Sequence, residues 1–176
     1  DLRDEGTLRE LAVLLRRLHD FDGGAGRVDF TATLDEYLEQ VRQRGLSLPQ
    51  GFEDHAPRVR QLLGHLLDRP EPLVLCHNDV NGGNVMRSGG RLWLIDFEYS
   101  AAAEPSFELG NLISESMLDE HAASVVVDTY WQQEDAQLRA RARAWSVATG
   151  YAWLVWSTVQ ASLQPDLGDA LRARAA

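Results

Sequence analysis

The chain has 176 residues, 44% hydrophobic and 25% charged, which is enough for one compact unit with a buried core. Its formal net charge of -10 disfavours nucleic acid and anionic membranes as partners, because clustered Lys and Arg bind such surfaces, and it suits a cationic substrate instead. All seventeen basic residues are Arg, so the lysine with which a P-loop binds nucleotide phosphates is missing from the chain.

Most of the chain has the apolar spacing of amphipathic helices. In the first helix the leucines recur at helical intervals, with Thr7 as the expected N-cap and Glu10 as its capping-box partner. The glycine-rich residues 20–26 form a predicted loop, because no strand precedes them as a phosphate-binding fingerprint requires. The predicted helices share this periodicity and span residues 7–18, 34–44, 53–67, 107–118, 121–133, 135–163 and 167–174.

Strand-like segments are expected only in the middle of the chain. Residues 73–76 form a short apolar run that ends in Cys76, an expected buried and unreactive thiol. Residues 84–87 and 91–95 flank a Ser-Gly-Gly turn, which is the pattern of a β-hairpin. The longest apolar-rich stretch, residues 147–159, is too short to span a bilayer, which needs about 20 residues. We therefore expect a mostly helical, cytoplasmic α+β protein with a small hairpin.

The polar residues around this hairpin are the most informative pattern in the chain. Residues 76–84 read Cys-His-Asn-Asp-Val-Asn-Gly-Gly-Asn, and Asp96 follows the next strand. Asp79 can orient an attacking hydroxyl, while Asn84 and Asp96 offer the oxygen ligands that Mg²⁺ prefers. His77 is expected to brace the loop by hydrogen bonding. These are the groups that phosphoryl transfer from a nucleotide requires.

A simpler interpretation of the same residues stays open at this point. Asn and Asp beside Gly are common turn formers, so the loop could be turn chemistry alone, and Asp96 could merely end a strand. The order of strand, polar loop, hairpin and carboxylate favours a site over a turn.

Three segments, residues 77–84, 92–99 and 107–111, resemble the C-terminal lobe of the choline/ethanolamine kinase family. This family lies within the aminoglycoside-phosphotransferase-like kinases, which have a protein-kinase-like fold. The segments read His-Asn-Asp-Val-Asn-Gly-Gly-Asn, Leu-Trp-Leu-Ile-Asp-Phe-Glu-Tyr and Phe-Glu-Leu-Gly-Asn. The tryptophan-containing residues 153–161 look like the C-terminal helix of the family, and the first helix, ending at His19, looks like the segment before this lobe.

The resemblance implies ATP-dependent phosphorylation of a small cationic alcohol, choline or ethanolamine, with Mg²⁺ as cofactor. By position, Asp79 would be the catalytic base, with His77 and Asn81 in the catalytic loop and Asn81 near the substrate. Asn84 and Asp96 would bind Mg²⁺ and, through it, the nucleotide. The wall around the substrate cation would consist of Tyr99, Glu115, Trp153 and Trp156.

Two positions depart from the pattern of the family. Glu108 stands where the family commonly has Asp, and Glu120 stands where choline enzymes have a second pocket tyrosine, which weakens the case for choline itself. Trp153 and Trp156 share one helical face, and periodicity alone is also consistent with core packing.

Kinases of this type bind ATP between two lobes, with a glycine-rich loop and a strand lysine in the first. The chain contains no Lys, so we expect residues 1–176 to be the C-terminal catalytic and substrate-binding lobe alone, inactive without the nucleotide lobe. The alternatives are a phosphotransferase for an aminoglycoside, thiamine or a sugar, and a non-catalytic binding module. The sequence upstream of the chain would separate a kinase from the binding module.

Overall fold

A computed structural model describes residues 2–22 and 26–163 of the chain. Helices dominate these residues, as predicted, and four short strands lie in the middle of the sequence. In chain order the elements are α1 (Glu5–His19), α2 (Phe30–Gln43), α3 (Phe52–Asp68), β1 (Val74–Cys76), β2 (Val85–Ser88), β3 (Arg91–Leu94), β4 (Ala101–Ala103), α4 (Pro105–Glu115), α5 (Glu120–Trp131) and α6 (Ala136–Leu163). The helix predicted over residues 167–174 lies outside the described residues.

The chain divides into two compact units, so the expectation of a single one is wrong. The first unit comprises the described residues of Asp1–Val28 and His65–Val147, and therefore contains α1, the four strands, α4 and α5. The second comprises those of Asp29–Gly64 and Ala148–Ala176, and contains α2, most of α3 and the end of α6.

Helix α1 begins two residues before its predicted start, and its cap is not Thr7. Asp4 is the N-cap, and its carboxylate accepts a hydrogen bond from the Thr7 backbone N–H at 2.8 Å. Glu10 does not close a capping box. Its carboxylate instead accepts a hydrogen bond from the Leu92 N–H at 3.1 Å and pairs with Arg87 at 2.9 Å. The acid that suggested a cap therefore joins α1 to the hairpin.

Helices α2 and α4 also begin two or more residues before their predicted starts. Asp29 caps α2 by accepting a hydrogen bond from the Ala32 N–H at 3.0 Å. Pro105 opens α4 in the first turn, where its missing N–H removes no intrahelical hydrogen bond. The apolar period locates the buried face of a helix, whereas polar caps and proline locate its first turn.

The predicted hairpin is confirmed. Strands β2 and β3 pair antiparallel in a register that runs from Val85 opposite Leu94 to Ser88 opposite Arg91. The turn residues Gly89 and Gly90 have φ values of 59° and 74°. Positive φ at both central residues is what a type I′ hairpin turn requires, and glycine adopts it without steric cost.

Strand β4 was not predicted, because three consecutive alanines carry little strand propensity. It pairs antiparallel with β1, placing Cys76 opposite Ala101. It also forms a parallel bridge with Arg27, where the sequence indicated no strand. The Cys76 thiol is fully buried, as predicted, and burial raises its pKa.

The core of the first unit forms where α1, α4 and α5 pack together and reaches the loop after β1. Its buried side chains include Leu8, Leu11, Leu15, Val80, Leu109, Leu112 and Val126. Val80 is 1% exposed, so the polar loop that contains it is fixed to the core. None of the described helices is long and apolar enough to cross a membrane.

Candidate active site

His77 joins the loop after β1 to the end of β3. The ring is fully buried and lies 4.6 Å from that of Phe97, centroid to centroid. Its Nε2 is 2.8 Å from the Ile95 carbonyl oxygen, which can only accept, so Nε2 carries the proton. Its Nδ1 lies 3.3 Å from the Asp79 backbone N–H and accepts from it. The neutral imidazole thus satisfies both contacts.

The Asp79 carboxylate is held by two amide side chains. Oδ1 accepts a hydrogen bond from Asn81 Nδ2 at 2.9 Å, and Oδ2 accepts one from Asn84 Nδ2 at 2.5 Å. Asn84 Nδ2 also donates to the Asp79 carbonyl at 2.9 Å. The Gly83 N–H donates to Asn81 Oδ1 at 2.8 Å and closes the turn. The structure therefore brings together Asp79, Asn81 and Asn84, and it fixes the rotamer of the carboxylate.

Asp96 lies at the same end of the hairpin as Asn84. The Ile95 N–H donates to the Asn84 carbonyl at 3.0 Å, which extends the β2–β3 pairing by one step and places Asp96 immediately beyond it. Asp96 is exposed and has a φ of 64°, in the left-handed region. Because Asn84 Nδ2 is directed at Asp79, the Oδ1 atom of Asn84 is the one that can act as a metal ligand.

Asn78, the residue before Asp79, is held by hydrogen bonds to helix α4 and to the segment after β3. Asn78 has a φ of 64°, and its N–H donates to Glu108 Oε1 at 2.6 Å. Its carbonyl accepts from Asn111 Nδ2 at 3.1 Å, and its own Nδ2 donates to the Tyr99 carbonyl at 2.9 Å. Sequence reasoning did not identify these supports. The available signal was Glu108, an acid between the apolar residues Phe107 and Leu109 of helix α4, which proves to be fully buried.

Negative charge gathers around Tyr99, which is 56% exposed. Partial burial raises the pKa of its hydroxyl, and the carboxylates of Glu98, Asp79 and Asp96 raise it further. Glu115 is the last residue of α4 and is half-buried. Such a field favours a cation over a neutral or anionic ligand.

The two tryptophans of the expected substrate wall lie on α6 in the second unit. The ring centroids of Trp153 and Trp156 are 6.1 Å apart, with an angle of 41° between the planes, and both side chains are partly exposed. Trp145, on the same helix in the first unit, is 3% exposed and donates its indole N–H to Glu104 at 3.3 Å, as expected of a core residue.

Comparison with known families identifies the family of the chain. Residues 2–154 match the sequence model of the phosphotransferase enzyme family. The chain belongs to this family. Among its relatives is the choline/ethanolamine kinase of Mus musculus, which is 26% identical over an alignment of 215 residues. The alignment covers 93% of the chain and 52% of that protein. The chain thus spans about half the length of the curated relatives it matches.

Solved structures of phosphotransferases have the same fold. A choline/ethanolamine kinase family protein from Mesorhizobium loti superposes with a TM-score of 0.86 at 25% identity, covering 97% of the chain and 60% of that structure. The choline kinase LicA from Streptococcus pneumoniae gives 0.80 at 22% identity, covering 97% and 61%. A structure of LicA in complex with AMP gives 0.77 at 21% identity, covering 97% and 60%. The predicted fold class, a mostly helical lobe of the protein-kinase-like fold, is confirmed.

Proposed function

We propose that the chain is the catalytic and substrate-binding part of an ATP-dependent phosphotransferase that acts on a small amino alcohol, choline or ethanolamine. The observation that carries the proposal is the Asp79 carboxylate, held between Asn81 and Asn84 at the end of the hairpin that Asp96 follows. The mouse choline/ethanolamine kinase and the AMP complex of LicA support the acceptor and the nucleotide. The rest of the nucleotide site would come from residues outside this chain.

In the proposed reaction the hydroxyl of the acceptor lies against Asp79. The carboxylate accepts the O–H hydrogen bond and turns an oxygen lone pair toward the γ-phosphorus. It takes the proton as the new O–P bond forms and the bond to the leaving ADP oxygen breaks. The two amides hold the carboxylate in one rotamer, and His77 holds the backbone of the loop, so the base is in place before the substrate arrives.

The residues present fit Mg²⁺ as a cofactor. Asn84 Oδ1 and the Asp96 carboxylate are oxygen donors at one end of the hairpin, and a hard divalent cation takes such ligands while keeping several waters. When bound with ATP, the ion would neutralise charge on the phosphate oxygens. Asn84 would then have two tasks, since its Nδ2 holds Asp79 and its Oδ1 would bind the metal.

We expect the full-length protein to bind Mg²⁺ only weakly without nucleotide, because one amide and one carboxylate are too few ligands for a tight site. Titration calorimetry with and without a non-hydrolysable ATP analogue measures this, and the analogue should tighten binding. Asp96→Asn should weaken binding in the presence of the analogue, while Glu98→Gln, at an exposed acid two residues away, is the matched control. Micromolar affinity without nucleotide would contradict this ligand set.

Aromatic and acidic side chains are proposed to bind the cationic end of the acceptor. A quaternary ammonium gains about 0.5 to 2 kcal/mol from contact with an indole face, and nearby carboxylates add a favourable charge. The carboxylates around Tyr99 and the partly exposed rings of Trp153 and Trp156 support this assignment. Glu115 is proposed to supply a further negative charge.

Trp156→Ala should raise the KM for the amino alcohol by about two- to thirtyfold and lower kcat by less, because the cation contact is similar in the ground and transition states. Steady-state kinetics of the full-length protein, with either substrate varied, measures this. Trp156→Phe retains an aromatic face and should recover most of the lost affinity. An unchanged KM for the amino alcohol, or an equal rise in the KM for ATP, would remove Trp156 from the acceptor site.

The experiment that tests the proposed function is a substrate panel on the full-length protein. ATP consumption is followed with choline, ethanolamine, thiamine, kanamycin and a neutral sugar, and choline or ethanolamine is expected to give the highest kcat/KM. If both are inert while another member turns over, the amino-alcohol assignment fails and a phosphotransferase of other specificity remains. If a folded protein turns over no member, a non-catalytic binding module becomes the better account.

A further inference from the structure

A buried polar cluster lies beneath the candidate catalytic loop, and the proposed reaction makes no direct use of it. It consists of His19 at the end of α1, Glu108 on α4 and Tyr130 on α5, with Cys76 beside them. The side chains of His19 and Glu108 are 2% and 0% exposed. Within residues 2–22 and 26–163, His19, Cys76 and Glu108 are also the one group of three His, Cys, Asp or Glu side chains with converging ligand atoms.

The cluster forms a continuous chain of short hydrogen bonds that ends at the loop. Tyr130 OH lies 2.7 Å from His19 Nδ1, and His19 Nε2 lies 2.5 Å from Glu108 Oε2. The other carboxylate oxygen, Oε1, accepts the Asn78 N–H at 2.6 Å. Glu108 therefore joins the end of α1 to the peptide immediately before Asp79.

The donors and acceptors of this chain can be assigned. Burial raises the pKa of the Tyr130 hydroxyl, and neighbouring negative groups raise it further, so the phenol keeps its proton and donates to Nδ1. Nε2 then carries the imidazole proton and donates to Glu108, whose carboxylate can only accept. Each donor has one acceptor, and both oxygens of Glu108 have donors.

The geometry of Asn78 makes the position of Glu108 matter for Asp79. Asn78 has a φ of 64°, in the left-handed region that asparagine tolerates better than most residues but at a cost in free energy relative to glycine. Glu108 accepts a hydrogen bond from its N–H and Asn111 donates one to its carbonyl, so two side chains of α4 fix the backbone of Asn78. A shift of the Glu108 carboxylate would change the direction in which the chain enters Asp79.

We propose that His19 is a positioning residue for phosphoryl transfer. Its Nε2–H donor fixes the Glu108 carboxylate, which holds Asn78 and so sets where Asp79 presents its own carboxylate. His19 acts through Glu108 and has no contact with the substrate in this scheme. The inference rests on the proposed role of Asp79 as the base.

Two near-isosteric variants of the full-length protein separate positioning from packing. His19→Gln places an amide N–H where Nε2 was and keeps the donor to Glu108. His19→Asn offers an amide only near the Nδ1 position and loses that donor. Both remove the ring, so their losses in Tm should be similar. We expect His19→Asn to lower kcat by about tenfold or more with the KM values within about threefold, and His19→Gln to stay within about threefold of the wild-type kcat.

A second measurement does not depend on activity. Within residues 1–176 a His-Asn pair occurs once, at His77 and Asn78, so ¹³C-carbonyl His with ¹⁵N Asn labels the Asn78 amide, and the resonance that Asn78→Ser removes from the full-length protein is that of Asn78. A short hydrogen bond to a carboxylate moves that amide proton downfield. The resonance should shift upfield in His19→Asn and stay near its wild-type position in His19→Gln.

Equal kcat values and equal amide shifts in the two variants would overturn the proposal. If the wild-type protein turns over no substrate, the proposed function fails, but the amide shift still decides whether His19 sets the loop. Should His19→Asn not fold, Glu108→Gln tests the same connection, because a neutral amide oxygen is a weaker acceptor than a carboxylate. Glu108→Gln should lower kcat by about tenfold and move the Asn78 amide resonance upfield. An unchanged kcat with an unchanged resonance would contradict the proposal.

Discussion

Asp79→Asn should abolish turnover of the full-length protein while leaving its fold intact. Asparagine has the same shape but cannot take the proton of the acceptor hydroxyl, and loss of a general base costs about 10²- to 10⁴-fold. Both oxygens of Asp79 accept from amides, so an amide at this position leaves one of Asn81 or Asn84 facing another donor. Because the site is only partly buried, we expect that mismatch to lower Tm slightly.

Steady-state ATP consumption with choline or ethanolamine, beside a thermal melt, measures both effects. Asp4→Asn is the matched control, since it makes the same chemical change at the exposed N-cap of α1, where asparagine also caps well. The control should keep wild-type turnover. A folded Asp79→Asn protein within a few-fold of wild type would remove Asp79 from the role of base.

Gly110→Ala should destabilise the protein more than an added methyl group at any other described glycine. A Cβ at Gly110 would lie 2.5 Å from Trp145 Cβ, 2.7 Å from the Ala142 carbonyl oxygen and 2.8 Å from the Ser146 nitrogen. Two of these are backbone atoms of α6 and cannot rotate away, so α4 must move. Overpacking of this kind costs about 1 to 3 kcal/mol, more than the helix propensity that alanine adds.

The matched control for this prediction is Gly64→Ala on α3, where the added Cβ has no atom within 4 Å apart from its chain neighbours and the nearby backbone of its own helix. That variant should be as stable as wild type or slightly more stable, because alanine favours the helix by about 0.5 to 1 kcal/mol. Urea unfolding of the full-length variants gives the comparison. Equal midpoints for the two variants would mean that α4 and α6 are not packed as closely as described.

Features that depend on local sequence were predictable. The hairpin is one, because Gly89 and Gly90 adopt the positive φ values of its turn and the flanking residues favour strands. The buried thiol of Cys76 is another, since an apolar run surrounds it. The proximity of Asp79 and Asn84 was predictable because both lie in one short loop between two strands. A loop of that length has few ways to arrange its polar groups.

Features that depend on distant partners were not predictable. Strand β4 exists because β1 lies beside it, although its three alanines give no strand signal. Glu10 matched a capping box by spacing, but its partners are Arg87 and the Leu92 N–H in the hairpin. The support under Asn78 comes from helix α4, about thirty residues away, so no local pattern could reveal it.

Direct detection of the phosphorylated product tests the central claim, that Asp79 and its loop transfer phosphate to an amino alcohol. The full-length protein is incubated with ATP, Mg²⁺ and choline or ethanolamine, and the reaction is followed by ³¹P NMR. We predict a phosphate monoester of the alcohol that appears in step with ADP in the wild-type protein and is absent with Asp79→Asn. Release of ADP with inorganic phosphate and no ester, or ester formation by Asp79→Asn at the wild-type rate, would contradict the claim.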